Sequence, residues 1–85
     1  MVCTKTYDGG CANINEKLIG FGFSDRPYTI EECHLLCTTE PECAGFFLGT
    51  TDRKCMLVRD GCIDNDNPEW VYYAITDCNG NDKYL

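Results

Sequence analysis

The apolar positions of this chain fall into one stretch with a helical period and several stretches that alternate. Between residues 30 and 37, apolar side chains recur at i, i+3 and i+7, which is the spacing of one face of a helix. Thr29 followed by Glu32 forms a capping box at the start. Pro41 ends the helix, because the residue before a proline is disfavoured in the helical region. A helix this short is marginal alone, so we expect tertiary packing and disulfides to hold it.

Alternation of apolar and polar residues predicts the strands. The alternating segments are residues 2–7, 18–23, 43–49, 54–59 and 70–76. Glycines at positions 20 and 22 leave the second face of one strand nearly bare, and such glycines often mark a bulge or the close approach of another element. Residues 13–17 are polar, and 63–69 form an acidic, turn-rich loop. The pattern predicts the α+β class: one α-helix packed on an antiparallel sheet of four to five strands.

The length and the cysteine count indicate a small disulfide-rich domain. A chain of 85 residues makes one domain with a thin core, spanning 1–85, with its ordered core at about 3–78 and a frayed tail at 79–85 that begins with an Asn-Gly turn. Its eight cysteines are an even number, as full pairing requires, and they allow on the order of a hundred pairings. Zinc is disfavoured because the only close pair, Cys33 and Cys37, has helical spacing instead of two metal-binding knuckles.

The charge balance limits the classes of partner that the chain is expected to bind. Seven basic against 14 acidic residues give a net charge of −7, which argues against nucleic acid and anionic membrane surfaces. Proteins, glycans and cationic ligands remain as candidate partners. No apolar run reaches the length of about 18 residues that a bilayer span needs, so we expect no direct membrane insertion. Met1 is followed at once by Val2 and Cys3 without a signal peptide, which suggests a module excised from a larger secreted protein.

A catalytic constellation is hard to assemble from these residues. His34 is the only histidine and is expected to be an exposed or half-packed helix residue. Ser24 is the only serine, and no nucleophile-elbow sequence surrounds it. Oxidised cysteines are not nucleophiles. We therefore expect no enzymatic activity and no cofactor.

The acidic loop is a weak candidate for calcium. Four carboxylates could supply oxygen ligands: Asp60, Asp64, Asp66 and Glu69. The loop lacks the EF-hand pattern with its central glycine, and acidic loops are usually solvated. We predict no metal site, and keep Asp64 and Asp66 as candidate ligand-binding residues.

The aromatic residues of the last predicted strand are the better candidates for binding. Trp70 and Tyr72 are expected to face one side of the sheet and Tyr73 the other, with one of the two sides in the core. An exposed aromatic ring beside Asp or Asn is a common way to hold a sugar, and it also resembles a protein hot spot. The alternative is that all three rings are core and sheet surface.

The central stretch resembles the PAN/apple domain family. That family has a helical Glu-Cys-x-x-x-Cys, then Cys-x-Gly-Phe, then Lys/Arg-Cys-x-Leu. The matching segments here are Glu32-Cys33 to Cys37, Cys43 to Phe46, and Lys54 to Leu57. The match covers about 30 residues closely, and the final strand WVYYA also fits.

The resemblance implies a disulfide pattern. The family pairs the helix with a strand and with the segment that follows it, and apple members link the two ends of the domain. In this chain the implied bridges are Cys33–Cys55, Cys37–Cys43 and Cys3–Cys78. That assignment leaves Cys11–Cys62 as an extra bridge beyond those usual in the family.

The resemblance also implies a non-catalytic extracellular adhesion or binding module, secreted or held in a secretory organelle before release. Such modules bind host or cell-surface proteins or glycans, and they pack against neighbouring apple domains of the same chain; apicomplexan microneme adhesins are one example of a parent protein. The strong acidity disfavours sulfated, heparin-like ligands. Two alternatives are a structural or self-association module, and a protease-inhibitor-like scaffold with a reactive loop at 50–54.

Overall fold

The predicted strands assemble into one antiparallel sheet of five strands, seen in a computed structural model that describes residues 2–22 and 26–79. The strands are β1 (Val2–Cys3), β2 (Tyr7–Asp8), β3 (Leu18–Phe21), β4 (Gly45–Gly49), β5 (Cys55–Val58), β6 (Trp70–Ala74) and β7 (Cys78–Asn79). The helices are α1 (Ile14–Lys17) and α2 (Ile30–Thr38), with a 3-10 turn at Ile75–Asp77. The sheet order is β2-β6-β4-β5-β3, and β1 pairs with β7 in a separate ribbon. The α+β prediction is confirmed.

Helix α2 begins as its sequence predicts. The Glu32 backbone N–H donates to the Thr29 hydroxyl oxygen at 3.1 Å, and the Thr29 N–H donates to a Glu32 carboxylate oxygen at 2.9 Å. These two bonds satisfy backbone donors that have no partner within the helix. Cys33 and Cys37 leave the buried face of the helix, and both are fully buried. Cys33 is bonded to Cys55 of β5 and Cys37 to Cys43 just before β4, so covalent bonds as well as packing hold the helix on the sheet.

Both faces of the central strands are buried, so the expectation of one core side is wrong. On the α2 side, Phe46 and Leu57 belong to one apolar cluster. On the opposite side, Phe47 and Met56 belong to a second cluster. The segment around α1 covers this second face, where Ile14 packs against the cluster. Strands β4 and β5 consequently have no exposed residue.

A bulge in β3 changes which way Phe21 faces. Leu18 pairs with Val58 and Gly20 with Leu57, so one residue of β3 is unpaired between them. Phe21 then pairs with Met56 and lies on the side of the second cluster. Regular alternation would have placed it on the α2 side. The bulge accords with the indication from Gly20.

Other differences from the predicted elements lie near the N-terminus and at the end of β6. The strand predicted at 2–7 is divided into β1 and β2, and residues 14–17 form α1 instead of an irregular polar segment. Asn13 holds α1 in place: its amide nitrogen donates to the Gly61 carbonyl at 3.0 Å, and its amide oxygen accepts from the Ile63 N–H at 2.9 Å. The predicted strand 70–76 ends at Ala74. Residues 23–25 and 80–85, which include Phe23, Ser24 and most of the predicted tail, lie outside the described residues.

The eight cysteines, all within the described ranges, form four disulfides. The bridges are Cys3–Cys78, Cys11–Cys62, Cys33–Cys55 and Cys37–Cys43. Three of these bridges are those that the family resemblance implies, and Cys11–Cys62 is the extra bridge expected from the remaining cysteines. A set of four disulfides in a chain of this length is typical of secreted and extracellular proteins. No helix among the described residues is long and apolar enough to cross a lipid bilayer.

Candidate ligand-binding surface around Trp70

Trp70 lies between two clefts at one end of the sheet. It begins β6, is half-buried, and pairs with Gly49 of β4. Its indole meets the ring of Phe47 edge-on, with 6.4 Å between ring centroids and 80° between planes. It lines two cavities, which we call the amide cleft and the acidic cleft. The indole is thus anchored in the second cluster while part of it stays accessible.

The amide cleft has a volume of about 260 Å³ and combines apolar walls with side-chain amides. Ile14 and Met56 line its apolar part. Phe21 also lines it and is 57% exposed, an unusual degree for a phenylalanine. The cleft therefore offers the rings of Phe21 and Trp70 on the same side of the sheet.

Asn65 and Asn67 supply the polar part of the amide cleft. The Asn65 amide oxygen accepts from the Gly10 N–H at 2.9 Å and from the Asn67 N–H at 3.0 Å, and the Asn67 amide oxygen accepts from the Glu69 N–H at 3.0 Å. Because each oxygen accepts from a backbone N–H, these bonds fix which end of each amide is nitrogen. Among the described residues, neither side-chain nitrogen has an acceptor within hydrogen-bond distance. Two pairs of N–H donors remain for a ligand.

The acidic cleft is also lined by Trp70 and has a volume of about 320 Å³. Thr51, Asp52 and Glu69 line it together with the indole. The Asp52 carboxylate lies over the Cα of Gly49, in the space that a side chain there would fill. One Asp52 oxygen accepts from the Lys54 N–H at 3.1 Å. This part of the surface is therefore negatively charged beside an aromatic ring.

The other two aromatic residues proposed for binding lie in the core or against it. Tyr72 is 7% exposed and its ring centroid is 4.6 Å from that of Phe47; burial raises the pKa of its hydroxyl. Tyr73 stacks on Phe46 on the α2 side, 5.2 Å between centroids and 14° between planes. The predicted division of Trp70 and Tyr72 from Tyr73 holds, and Trp70 is the one of the three that lines the clefts.

Asp64 and Asp66 shape the loop without lining either cleft. An Asp64 carboxylate oxygen accepts from the Asp66 N–H at 2.8 Å. The same carboxylate lies against Gly9. Together with burial, which is the larger cause, its charge raises the pKa of the Tyr7 hydroxyl to about 12. Among residues 2–22 and 26–79, no three carboxylate oxygens of this loop converge within 4.8 Å.

One further cluster of potential metal-ligating side chains lies at the β1–β7 ribbon. Donor atoms of Cys3, His34 and Cys78 lie within 4.8 Å of one another. The two sulfurs are bonded to each other, so they offer no thiolate to a metal or to a substrate. Burial lowers the pKa of His34, whose ring meets Phe46 edge-on. The arrangement is a packed disulfide beside a neutral imidazole.

Among the cleft residues that sequence reasoning did not single out are four that matter to the chemistry of the clefts. They are Phe21, Asp52, Asn65 and Asn67. The spacing Asp64-x-Asp66 and Asn65-x-Asn67 is that of consecutive side-chain turns, which are local and could have been read from the sequence. The side of the sheet that Phe21 faces depends on the bulge in β3. The position of the Asp52 carboxylate depends on Gly49, which has no side chain to fill that space.

Comparisons of the chain with models of protein families, with curated proteins and with solved structures each find no match.

Proposed function

We propose that this chain is a non-catalytic extracellular binding module of the PAN/apple type, and that it recognises a glycan through the amide cleft beside Trp70. The observation that carries the proposal is the pairing of two accessible rings, Phe21 and Trp70, with the unused amide N–H groups of Asn65 and Asn67. In this proposal the module contributes adhesion to a larger secreted protein, and its partner is a cell-surface or host carbohydrate.

The chemistry of the cleft suits a sugar. The C–H face of a pyranose packs on an aromatic ring, while its hydroxyl and acetamido oxygens accept hydrogen bonds. Amide nitrogens are uncharged donors, so they favour a neutral sugar over a sulfated one. The net charge of −7 works in the same direction, because it repels sulfated chains.

Rigidity of the loop supports the proposal. The amide oxygens of Asn65 and Asn67 are committed to backbone N–H groups, so the nitrogens are held in place before a ligand arrives. Cys11, which lines the cleft, is bonded to Cys62. Preorganisation of this kind reduces the entropy lost on binding.

A glycan array at physiological salt tests the proposal, after mass spectrometry has confirmed that the protein has no free thiol. We expect selective binding that is lost in Phe21→Ala and Trp70→Ala. In Asn67→Asp the loop acceptor is kept and the amide donor is removed, so binding should weaken while folding is preserved. Val2→Ala is the matched control, since Val2 is 67% exposed on β1 and lines neither cleft. A blank array, or binding indifferent to Phe21, overturns the proposal.

Self-association is the second candidate, and one observation favours it. Leu35 is 66% exposed and lies with Tyr28 and Leu36 on a largely apolar groove of about 330 Å³ along α2. Contiguous exposed apolar surface is one of the marks of a contact site between protein molecules. Sedimentation equilibrium distinguishes the two roles: association that rises with concentration and is abolished in Leu35→Asp, without glycan binding, would favour the structural role.

A further inference from the structure

We infer that the acidic cleft beside Trp70 is a subsite for an alkylammonium group. The inference rests on the proposed function, because the same indole serves both clefts. A ligand held in the amide cleft would then place a positively charged amine in the neighbouring acidic cleft. The cleft has a volume of about 320 Å³, enough for a methylene chain with an ammonium head.

The first argument is the electrostatics of the two carboxylates. Among the described residues, the Glu69 carboxylate has no hydrogen-bond or ion-pair partner. Asp52 has one nearby cation: the Lys54 side-chain nitrogen lies 3.9 Å from its second oxygen, at the limit of an ion pair, and both side chains are about half exposed. Such a pair is weak and is easily replaced. The cleft therefore has negative charge available for a ligand.

The second argument is the aromatic wall. A cation over an indole face is attracted by the ring quadrupole, and tryptophan is the best of the aromatic residues in this respect. Gly49 allows the carboxylate of Asp52 to come close to that ring: Gly49 pairs with Trp70 across the sheet, and a side chain at position 49 would collide with an Asp52 oxygen. An indole and two carboxylates around one cavity favour an organic cation.

A metal ion fits the cleft poorly. Calcium takes six to eight oxygen ligands, most of them carboxylate or carbonyl oxygens of the protein. The cleft offers two carboxylates, one hydroxyl from Thr51 and an indole, and its side chains do not form a group of three converging ligands among the described residues. An ammonium group requires only a few acceptors and tolerates the aromatic wall.

Nuclear magnetic resonance tests the inference directly, because Trp70 is the only tryptophan and its indole N–H gives a single reporter signal. Two amines serve as probes: Nα-acetyl-lysine methylamide for a lysine side chain, and glucosamine for an amino sugar. Their neutral counterparts are Nα-acetyl-norleucine methylamide and N-acetylglucosamine. We expect at least one amine to shift the indole signal in a saturable way. Its affinity should fall in roughly 1 M salt, where the electrostatic screening length is only about 3 Å. The probe that binds identifies the source of the ammonium group.

Three variants make the test specific. Glu69→Gln and Asp52→Asn each remove one charge and keep the side-chain shape, so each should weaken amine binding by about two- to fivefold. Lys54→Gln removes the competing cation and should strengthen binding. Glu31→Gln, an exposed change of the same kind on α2, should leave the affinity unaltered.

The outcomes separate this inference from the proposed function. An indole signal that neither amine shifts, an equal shift with the neutral counterparts, or no effect of Glu69→Gln overturns the ammonium subsite. If the glycan array is still positive in that case, the proposed function stands alone. Amine binding with a blank array leaves the subsite and overturns the glycan proposal.

Discussion

The ring of Tyr72 rests on the Cα of Gly45, in the space that a side chain at position 45 would fill. The two residues lie diagonally across the pairing of β4 with β6, where Gly45 faces Ala74 and Phe47 faces Tyr72. A Cβ at position 45 would lie 2.6 Å from Cζ of the tyrosine. This contact closes the second cluster, and it gives a physical reason for a glycine before the phenylalanine in the Cys-x-Gly-Phe segment.

We predict that Gly45→Ala destabilises the fold strongly. The methyl group cannot be accommodated without moving the buried Tyr72 ring, and overpacking of this kind costs about 1–3 kcal/mol. In a domain of this size, each kcal/mol lowers the melting temperature by about 4–8 °C. Thermal unfolding followed by circular dichroism measures the loss.

Gly20→Ala is the matched control for Gly45→Ala. A Cβ at position 20 would meet no atom within 4 Å, and the residue is also in a strand of the same sheet. Its melting temperature should change by no more than a few degrees. Equal losses in the two variants would show that chain flexibility, and not the contact with Tyr72, makes glycine necessary at position 45.

The cap of α2 gives a second prediction. Thr29→Ala removes the hydroxyl that accepts from the Glu32 N–H, and loss of such a cap costs about 1 kcal/mol. Urea unfolding measures this change. Thr4→Ala is the control, because Thr4 is exposed and its side chain has no protein partner among the described residues. A cap variant as stable as the control would mean that the disulfides alone hold the start of the helix.

Glu32 gives the third prediction, a loss of stability in acid. The hydrogen bond from the Thr29 backbone N–H, aided by the Arg26 guanidinium, lowers the pKa of the Glu32 carboxyl below its ordinary value of 4.5. Because the folded-state pKa is the lower one, the stabilisation is present above pH 4.5 and is lost as the pH falls through the folded-state pKa. The side-chain amide oxygen in Glu32→Gln can still accept from the Thr29 N–H, but the side chain does not titrate.

Urea midpoints measured between pH 7 and pH 2 test this dependence. The difference between the wild-type chain and Glu32→Gln should be largest near neutral pH and should shrink in acid. The burial-lowered pKa of His34 adds a loss in the same direction below pH 6.5, and it is common to both proteins. Glu31→Gln should follow the wild-type curve. A constant difference at every pH would assign the effect of Glu32 to hydrogen bonding without charge.

The parts of the fold that the sequence predicts are those governed by neighbours along the chain. The capping box of Thr29 and Glu32 spans four residues, and the opposite sides taken by Tyr72 and Tyr73 follow from strand geometry. The faces that become buried depend on what packs over them. Tyr72 is covered because α1 and its flanking loops close the second face, and α1 itself depends on the bonds of Asn13 to a loop about 50 residues away.

The residues of the candidate site also divide into those that local sequence indicates and those that depend on contacts between distant segments. Trp70 was identified from its residue type and strand position, whereas Phe21 reaches the amide cleft only because a bulge reverses its side. The glycine at position 20 indicated a bulge or a close approach, and it could not tell which side Phe21 would take. Asp52 required the pairing of Gly49 with Trp70, a relationship between β4 and β6 that no local pattern contains.

The bridge between the two ends of the domain gives the fourth prediction. Cys3 and Cys78 pair across the β1–β7 ribbon and enclose a loop with a sequence separation of 75 residues. In the chain-entropy model, removing this bridge costs about 4 kcal/mol, against about 2 kcal/mol for a loop as short as that of Cys37–Cys43. The double variant Cys3→Ala/Cys78→Ala should therefore unfold at a much lower urea concentration. Because no residue of the ribbon lines either cleft, the folded variant should keep the glycan binding proposed for the wild-type chain. A loss below about 1 kcal/mol would show that β1 and β7 hold the ends together without the bridge, and a loss of affinity at full folding would place the ends of the domain in the binding site.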